Sequence, residues 1–223
     1  MPTILVTGAG RGLGAEFVQQ YAADGAQVIA TVRDGAAGVA LKALGDVRIE
    51  TLDMRDAAEV ARFGERLGDT RIDVAILNAG ISGPNRLAGA DDAAGWLEVF
   101  AVNTVAPTQL AYGLLPKMAP GGKLVAITSQ MGSIADNGSG GYGAYRASKA
   151  ALNAAWKSLA IEQADRDLAI ALLHPGWVQT DMGGAGAPIE PPASIAGMRR
   201  VIDGLTAADK AVFLTYEGKP LPW

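Results

Sequence analysis

Short, nearly unbroken apolar runs alternate along the chain with longer stretches in which apolar positions recur every three or four residues. Thr3-Ile-Leu-Val-Thr7, Gln27-Val-Ile-Ala-Thr-Val32, Val47–Leu52, Ile72–Leu77, the end of Gly121–Thr128, Leu168–Leu173 and Ala211–Thr215 read as seven strands. The continuous apolarity of Thr3–Thr7 is expected of a strand buried on both faces. Helical spacing follows Phe17, Val18 and Tyr21, runs from a capping Asp56 to about Leu67, and extends from Trp96 towards Met118. It returns from Tyr145 to about Asp165 and over about 193–205. Pro107 removes a backbone hydrogen bond from the third of these helices and predicts a kink there. Residues 81–95 and the Gly/Ser-rich 132–144 read as loops, and the Gly/Pro-rich 183–193 as a mobile one.

This alternation predicts an α/β protein with a doubly wound, parallel sheet. Ligands in such sheets bind beyond the carboxyl ends of the strands. Gly8–Gly14, Asp53, Asn78–Gly80, Ser129 and Pro175–Thr180 all follow predicted strands, so they are expected to converge on one edge. Neither a linker nor a repeat interrupts the pattern, which predicts one domain over residues 1–223.

Composition narrows the function more than the fold. A chain of 223 residues, 49% hydrophobic with 29 glycines, can bury a substantial core and build tight strand-to-helix turns. A net charge of -4 offers no footprint for nucleic acid. The lack of cysteine excludes disulfides and thiolate metal sites, and one histidine excludes a multi-histidine site. No apolar stretch approaches the roughly 18 residues of a membrane span. The N-terminus lacks the pattern of a signal peptide. A soluble, cytoplasmic protein is expected.

Two segments carry candidate chemistry. Gly8-Ala-Gly10-Arg-Gly12-Leu-Gly14 lies between the first strand and the first helix. There, glycines allow close backbone approach, and the helix N-terminus offers free N–H groups to a pyrophosphate. The second strand ends in Thr31-Val32-Arg33, where an NAD-binding unit usually carries a carboxylate for the ribose 2′-hydroxyl. A cation there suits a 2′-phosphate, with Arg11 as a second one, which points to NADP(H). The alternative is NAD(H), with both arginines solvated. The second segment is Tyr142-Gly-Ala-Tyr145-Arg-Ala-Ser-Lys149-Ala-Ala-Leu-Asn153. Tyr145 and Lys149, four apart, share a helix face, and an ammonium nearby would lower the phenol's pKa. Such a pair suits proton transfer to a carbonyl. Tyr142 is a rival, but Arg146 stands four residues beyond it.

Taken together these residues resemble the classical short-chain dehydrogenases/reductases, over nearly the whole chain. Thr7–Gly14 is similar to the family's glycine motif and Asn78-Ala79-Gly80 to its motif after the fourth strand. Asn103, Ser129, Tyr145 and Lys149 are similar to its catalytic set, and Pro175-Gly176 with Thr180 to its nicotinamide motif. Short length, Tyr145–Asn153 and the ending Leu221-Pro-Trp223 resemble the C-factor and carbonyl-reductase-like branch.

The resemblance implies a single Rossmann-fold domain, with 183–205 as substrate-side loop and helix, and NADP(H)-dependent interconversion of a carbonyl compound and its secondary alcohol. It implies that Tyr145 exchanges the proton, Ser129 orients the carbonyl oxygen, Lys149 lowers the phenol pKa and binds the nicotinamide ribose, and Asn103 holds a water. It places Gly8, Gly10, Arg11, Gly12, Leu13 and Gly14 on the cofactor, with Arg33 at the 2′-phosphate and Asp53 and Met54 at the adenine. Asn78, Ala79 and Gly80 would line the cofactor, and Pro175, Gly176, Val178 and Thr180 would touch its nicotinamide end. The Ser129–Tyr145 spacing is longer than is usual in the family, and Ser133 lies nearer the usual separation. Ser129 is preferred because it directly follows a strand. A homodimer or homotetramer, assembled through the helices at 96–118 and 145–165, is expected. A dinucleotide-binding signalling protein with little turnover is the reading from a different class.

Overall fold

The computed structural model describes residues 1–223. In chain order it contains β1 (Thr3–Val6), α1 (Gly12–Ala23), β2 (Gln27–Val32), a helical turn at Gly35–Gly38, α2 (Val39–Lys42) and β3 (Val47–Thr51). Then come α3 (Ala57–Arg66), β4 (Ile72–Leu77), α4 (Ala90–Phe100), a π-helical turn (Ala101–Val105), α5 (Ala106–Leu114) and β5 (Met118–Ile127). α6 (Gly143–Glu162), β6 (Leu168–His174), α7 (Pro191–Gly204) and β7 (Lys210–Thr215) complete it.

The seven strands form one sheet in the order β3-β2-β1-β4-β5-β6-β7, with every neighbouring pair parallel. The expected doubly wound α/β architecture is therefore present. Because β1 lies between β2 and β4, the winding reverses there, and a crevice opens above the carboxyl ends of β1 and β4.

Apolar on both faces, the strands feed two cores. Leu5, Leu77, Leu124 and Leu172 enter one, beneath Phe63 of α3, Leu110 and Leu114 of α5 and Trp156 of α6. Their strand neighbours Ile4, Val6, Ile76 and Val125 enter the other, beneath Phe17 and Val18 of α1 and Ile195 and Met198 of α7. Each fully buried side chain of this size contributes about 1.5–3 kcal/mol.

Most boundaries agree with the hydrophobic pattern, and the exceptions have physical reasons. α4 begins at Ala90, before Trp96, because Asp91 and Asp92 favour the positive end of a helix dipole. The composition of 81–95 disguises that start as loop. The turns at 35–42 are too short to show a period, and the Asp34 carboxylate starts them by accepting from the Ala36 N–H at 3.0 Å. Pro107 does not kink a continuous helix. The chain widens into the π-helical turn, and Pro107 falls in the first turn of α5, where its missing N–H does no harm. The segment 183–189, expected to be mobile, is tied down. Trp177 Nε1 donates to Gly183 O at 2.8 Å, Gln179 Nε2 to Ala187 O at 2.9 Å, and Val178 pairs with Ile189.

Both ends of the sheet carry further structure. On β3, Glu50 accepts from Arg48 and from Arg66 of α3. Beyond β7 the chain turns back, so that Thr215 N donates to Lys219 O and Leu221 N to Phe213 O, both at 2.9 Å.

Alanine in place of a helical glycine usually stabilises by up to about 1 kcal/mol. Gly64 of α3 should behave oppositely, because an added Cβ would stand 2.5 Å from the Gly113 carbonyl oxygen of α5. Gly64→Ala is expected to lose about 2 kcal/mol in urea unfolding, the cost of overpacking a tight seam.

Candidate active site

The glycine loop is shaped by close approach. Gly8 has φ +66°, and a Cβ there would lie 2.9 Å from Ala79 Cα. A Cβ on Gly14 would lie 2.2 Å from Gly8 O and 2.8 Å from Asn78 Nδ2. Thr7, which opens the glycine motif, ties this loop to the one after β4: its Oγ1 accepts from Asn78 N at 2.9 Å and Ala79 N at 3.1 Å. Asn78 Nδ2 donates back to Thr7 O at 3.0 Å. No side chain caps the N-terminus of α1, so its first-turn N–H groups face the crevice without a side-chain partner.

The candidate cations divide. Arg33, exposed at the end of β2, makes no ion pair. Arg11, between Gly10 and Gly12, pairs with Asp181 in the loop after β6. A Cβ on Gly10 would face Ala37 at 3.3 Å, whereas one on Gly12 would face Thr180 at 3.6 Å. Arg11 thus stands between the β2 side and the β6 side of the crevice. Asp53 receives Arg55 through two guanidinium nitrogens, at 2.7 and 3.0 Å, and that hydrogen bonding lowers its pKa. Met54 is buried beside it.

Asn103 sits inside the π-helical turn, fully buried, and clamps the strand-end loop. Its Oδ1 accepts from Ile81 N and its Nδ2 donates to Ile81 O, both at 2.8 Å. Nδ2 also donates to Ser148 Oγ at 3.1 Å, a partner that sequence reasoning missed although it adjoins Lys149. Its side chain is therefore occupied by protein. Its main-chain carbonyl has no α-helical donor four residues on, because Pro107 lacks an N–H. Gly80 comes close to the same place: a Cβ there would lie 3.3 Å from Asn103 Oδ1 and 3.7 Å from Lys149 Nζ.

Lys149 is 4% exposed, and its Nζ donates to the carbonyl of Ile127, the last residue of β5, at 2.8 Å. The Nζ lies 5.8 Å from the centre of the Tyr145 ring. Burial pushes the Lys149 pKa down to about 8. The expectation that Lys149 holds the Tyr145 phenol below its ordinary pKa meets an opposing effect. Burial raises the phenol, and only interaction with the Ser129 hydroxyl pulls the other way. Low dielectric disfavours the phenolate and the ammonium alike, and the ammonium's hydrogen bond goes to a backbone carbonyl.

Ser129 lies two residues beyond the end of β5 and its hydroxyl acts on the Tyr145 phenol, whereas Ser133 is turned away. The Ser133 hydroxyl donates to Trp223 O at 3.3 Å and accepts from Asp136 N at 3.0 Å. Tyr142 is exposed with φ +50° at the start of α6 and interacts with neither group. On the β6 side, Gly176 has φ +84° and Ser194 Oγ donates to Pro175 O at 2.6 Å, fixing the turn that leads to Val178 and Thr180. His174 is driven down to about 4 by burial and stays neutral. The sheet edge therefore brings together Asn103, Ser129, Tyr145 and Lys149, flanked by the glycine loop and the Pro175–Thr180 turn.

A family description, short chain dehydrogenase, matches residues 2–188. The chain belongs to the short-chain dehydrogenase family. It is 43% identical over 154 residues to the C-signal of Myxococcus xanthus, covering 68% of this chain and 93% of that protein. Among solved structures it resembles a carbonyl reductase from Pseudomonas aeruginosa in complex with NADP, with 36% identity and a TM-score of 0.90 over 100% of both chains. It also resembles the carbonyl reductase Sniffer of D. melanogaster, with 32% identity and a TM-score of 0.90 over 100% of both. No helix of this family member is long and apolar enough to cross a membrane.

Burial of the ammonium makes a stability prediction. With its folded pKa depressed from 10.5 to about 8, Lys149 binds fewer protons folded than unfolded between those values. Stability therefore rises with pH through that window, and the cost is largest below pH 8. Lys149→Met is expected to be more stable than the wild type at pH 7, by roughly 3 kcal/mol at most. That advantage should vanish by pH 10.5 in paired urea titrations.

Proposed function

We propose that the chain is an NADP(H)-dependent oxidoreductase that interconverts a small or medium carbonyl compound and its secondary alcohol. The observation carrying this reading is the buried Lys149 ammonium one helical turn beyond Tyr145, 5.8 Å from its ring centre, with the Ser129 hydroxyl acting on the phenol. The likeness to NADP-bound carbonyl reductase supports the cofactor and the reaction class.

The residues fit the dinucleotide. A glycine cradle that a Cβ would fill leads to the free N–H groups of α1, which suit a pyrophosphate. Gly8, Gly10, Gly12, Leu13 and Gly14 would hold that group, with Arg33, and Arg11 once freed from Asp181, at a 2′-phosphate. Asp53 and Met54 would adjoin the adenine. Asn78, Ala79, Gly80, Pro175, Gly176, Val178 and Thr180 would line the remainder, and the whole of 1–223 would act as one binding domain. NADP(H), when bound, supplies or accepts the hydride. Ser129 hydrogen-bonds the substrate oxygen and orients it, while Tyr145 gives that oxygen a proton during reduction and takes it back during oxidation. Lys149 binds the nicotinamide ribose. The Asn103 carbonyl holds a water through which the proton is replaced.

Trp177 and Met182 are exposed in the 176–189 loop, so that loop would flank the substrate with apolar surface, with 183–205 continuing its wall. Leu97, Val105, Tyr112 and Ile161 remain exposed on the helices expected to join subunits, which supports a homo-oligomer. The likeness to the C-signal favours the second reading, a dinucleotide-binding signalling protein with little turnover.

Tyr145→Phe separates the two. The enzyme reading expects kcat to fall at least about 100-fold with NADPH affinity kept, whereas biological activity that survives the substitution would favour signalling. For the cofactor, NADPH at about 100 times its Kd should stabilise the protein by about 2.7 kcal/mol in thermal unfolding, with NADH much weaker. Arg33→Ala should narrow that gap, and an equal response to both cofactors in the wild type would overturn the NADP(H) preference.

A further inference from the structure

The turn carrying Ser129 is fastened to α6 by a buried side chain that the chemistry above does not use. Asn153 is 3% exposed and lies one helical turn beyond Lys149 and two beyond Tyr145. Its Oδ1 accepts from Thr128 Oγ1 at 2.7 Å, and its Nδ2 donates to Gly132 O at 3.5 Å. Thr128 immediately precedes Ser129. Gly132 closes the turn after it: the Gly132 N–H donates to Ser129 O at 2.8 Å, and the Met131 N–H donates to Ser129 Oγ at 3.1 Å. One amide thus bridges both ends of the five-residue segment that contains Ser129.

Packing leaves this segment little freedom on the helix side. A Cβ on Gly132 would stand 2.8 Å from the Lys149 carbonyl carbon and 2.9 Å from Lys149 Cβ. The serine turn and the lysine therefore touch through backbone. We propose that Asn153, with the Thr128 hydroxyl as its partner, is a positioning residue that holds Ser129 Oγ against Tyr145. The inference rests on the reading of Ser129 as the group that orients the substrate oxygen. A hydroxyl in a loop orients a carbonyl only if the loop is fixed to within about half an ångström. Here the fixing group is a buried amide whose two hydrogen bonds have no solvent to replace them.

The test compares Thr128→Val, which keeps shape and removes the donor, with Thr128→Ser, which keeps the donor. para-Nitrobenzaldehyde, an electron-poor carbonyl, serves as substrate with NADPH. Thr128→Val and Asn153→Ala are each expected to lower kcat about 10-fold with the KM for NADPH unchanged. The double variant should fall no further, because both remove one bridge, and Thr128→Ser should stay within about twofold of the wild type. Hydrogen exchange at the Met131 and Gly132 amides should quicken in Thr128→Val and not in Thr128→Ser, independently of any substrate. Ser129→Ala is the reference. If it keeps full kcat, the reading of Ser129 fails and the inference falls with it. If it loses kcat while Thr128→Val keeps both kcat and slow exchange, the positioning role alone is overturned. Should Asn153→Ala not fold, the two Thr128 variants decide the question.

Discussion

Keeping the Lys149 ammonium out of water at the sheet's carboxyl edge is the constraint on which the candidate site depends. An ammonium without partners in such a place would shed its proton or open the structure. The protein meets this with the Ile127 carbonyl, and with neighbours whose own polar groups are spoken for. Asn103 is bonded to both sides of Ile81, Ser148 to Asn103, and Asn153 to Thr128. Gly80 and Gly132 matter for the same reason: each lets backbone approach the lysine where a side chain would push it away. Depressed to about 8, the group is close to balance between its two forms, so a small change in its surroundings alters its charge.

The fold was legible because a parallel sheet covered on both sides leaves a coarse mark. Ile4, Leu5 and Val6 are all apolar although they serve two different cores, and that continuity, repeated in most of the strands between helical periods, is hard to mistake. The elements that escaped notice lack this mark. α2 is four residues long, and α4 opens with acidic residues and glycines that resemble a loop until the helix dipole is considered.

In the site, residue types at fixed spacing pointed to Tyr145 and Lys149, and the strand end pointed to Ser129. What the sequence did not carry was direction. Nothing in a string of residues says that Arg11 turns towards Asp181, that the Asn103 side chain is consumed by Ile81, or that burial raises the Tyr145 pKa. Those outcomes depend on distances between segments far apart in the chain. Asn153 shows the limit well: four residues beyond Lys149 it shares that face, yet its role appears only when Thr128 and Gly132 are placed around it.

The finish given to the two outermost strands bears on how the protein behaves in crowded solution. An open sheet ends in rows of unpaired backbone groups that can recruit a strand from another chain. At β3 the charges of Arg48, Glu50 and Arg66 make such an addition unfavourable. At β7 the returning segment has already taken the place, with Lys219 and Leu221 bonded to the outer edge and Trp223 packed on Phe213 at 5.8 Å between ring centres. The tail that resembles a mere family signature therefore works as a plug against edge-to-edge aggregation.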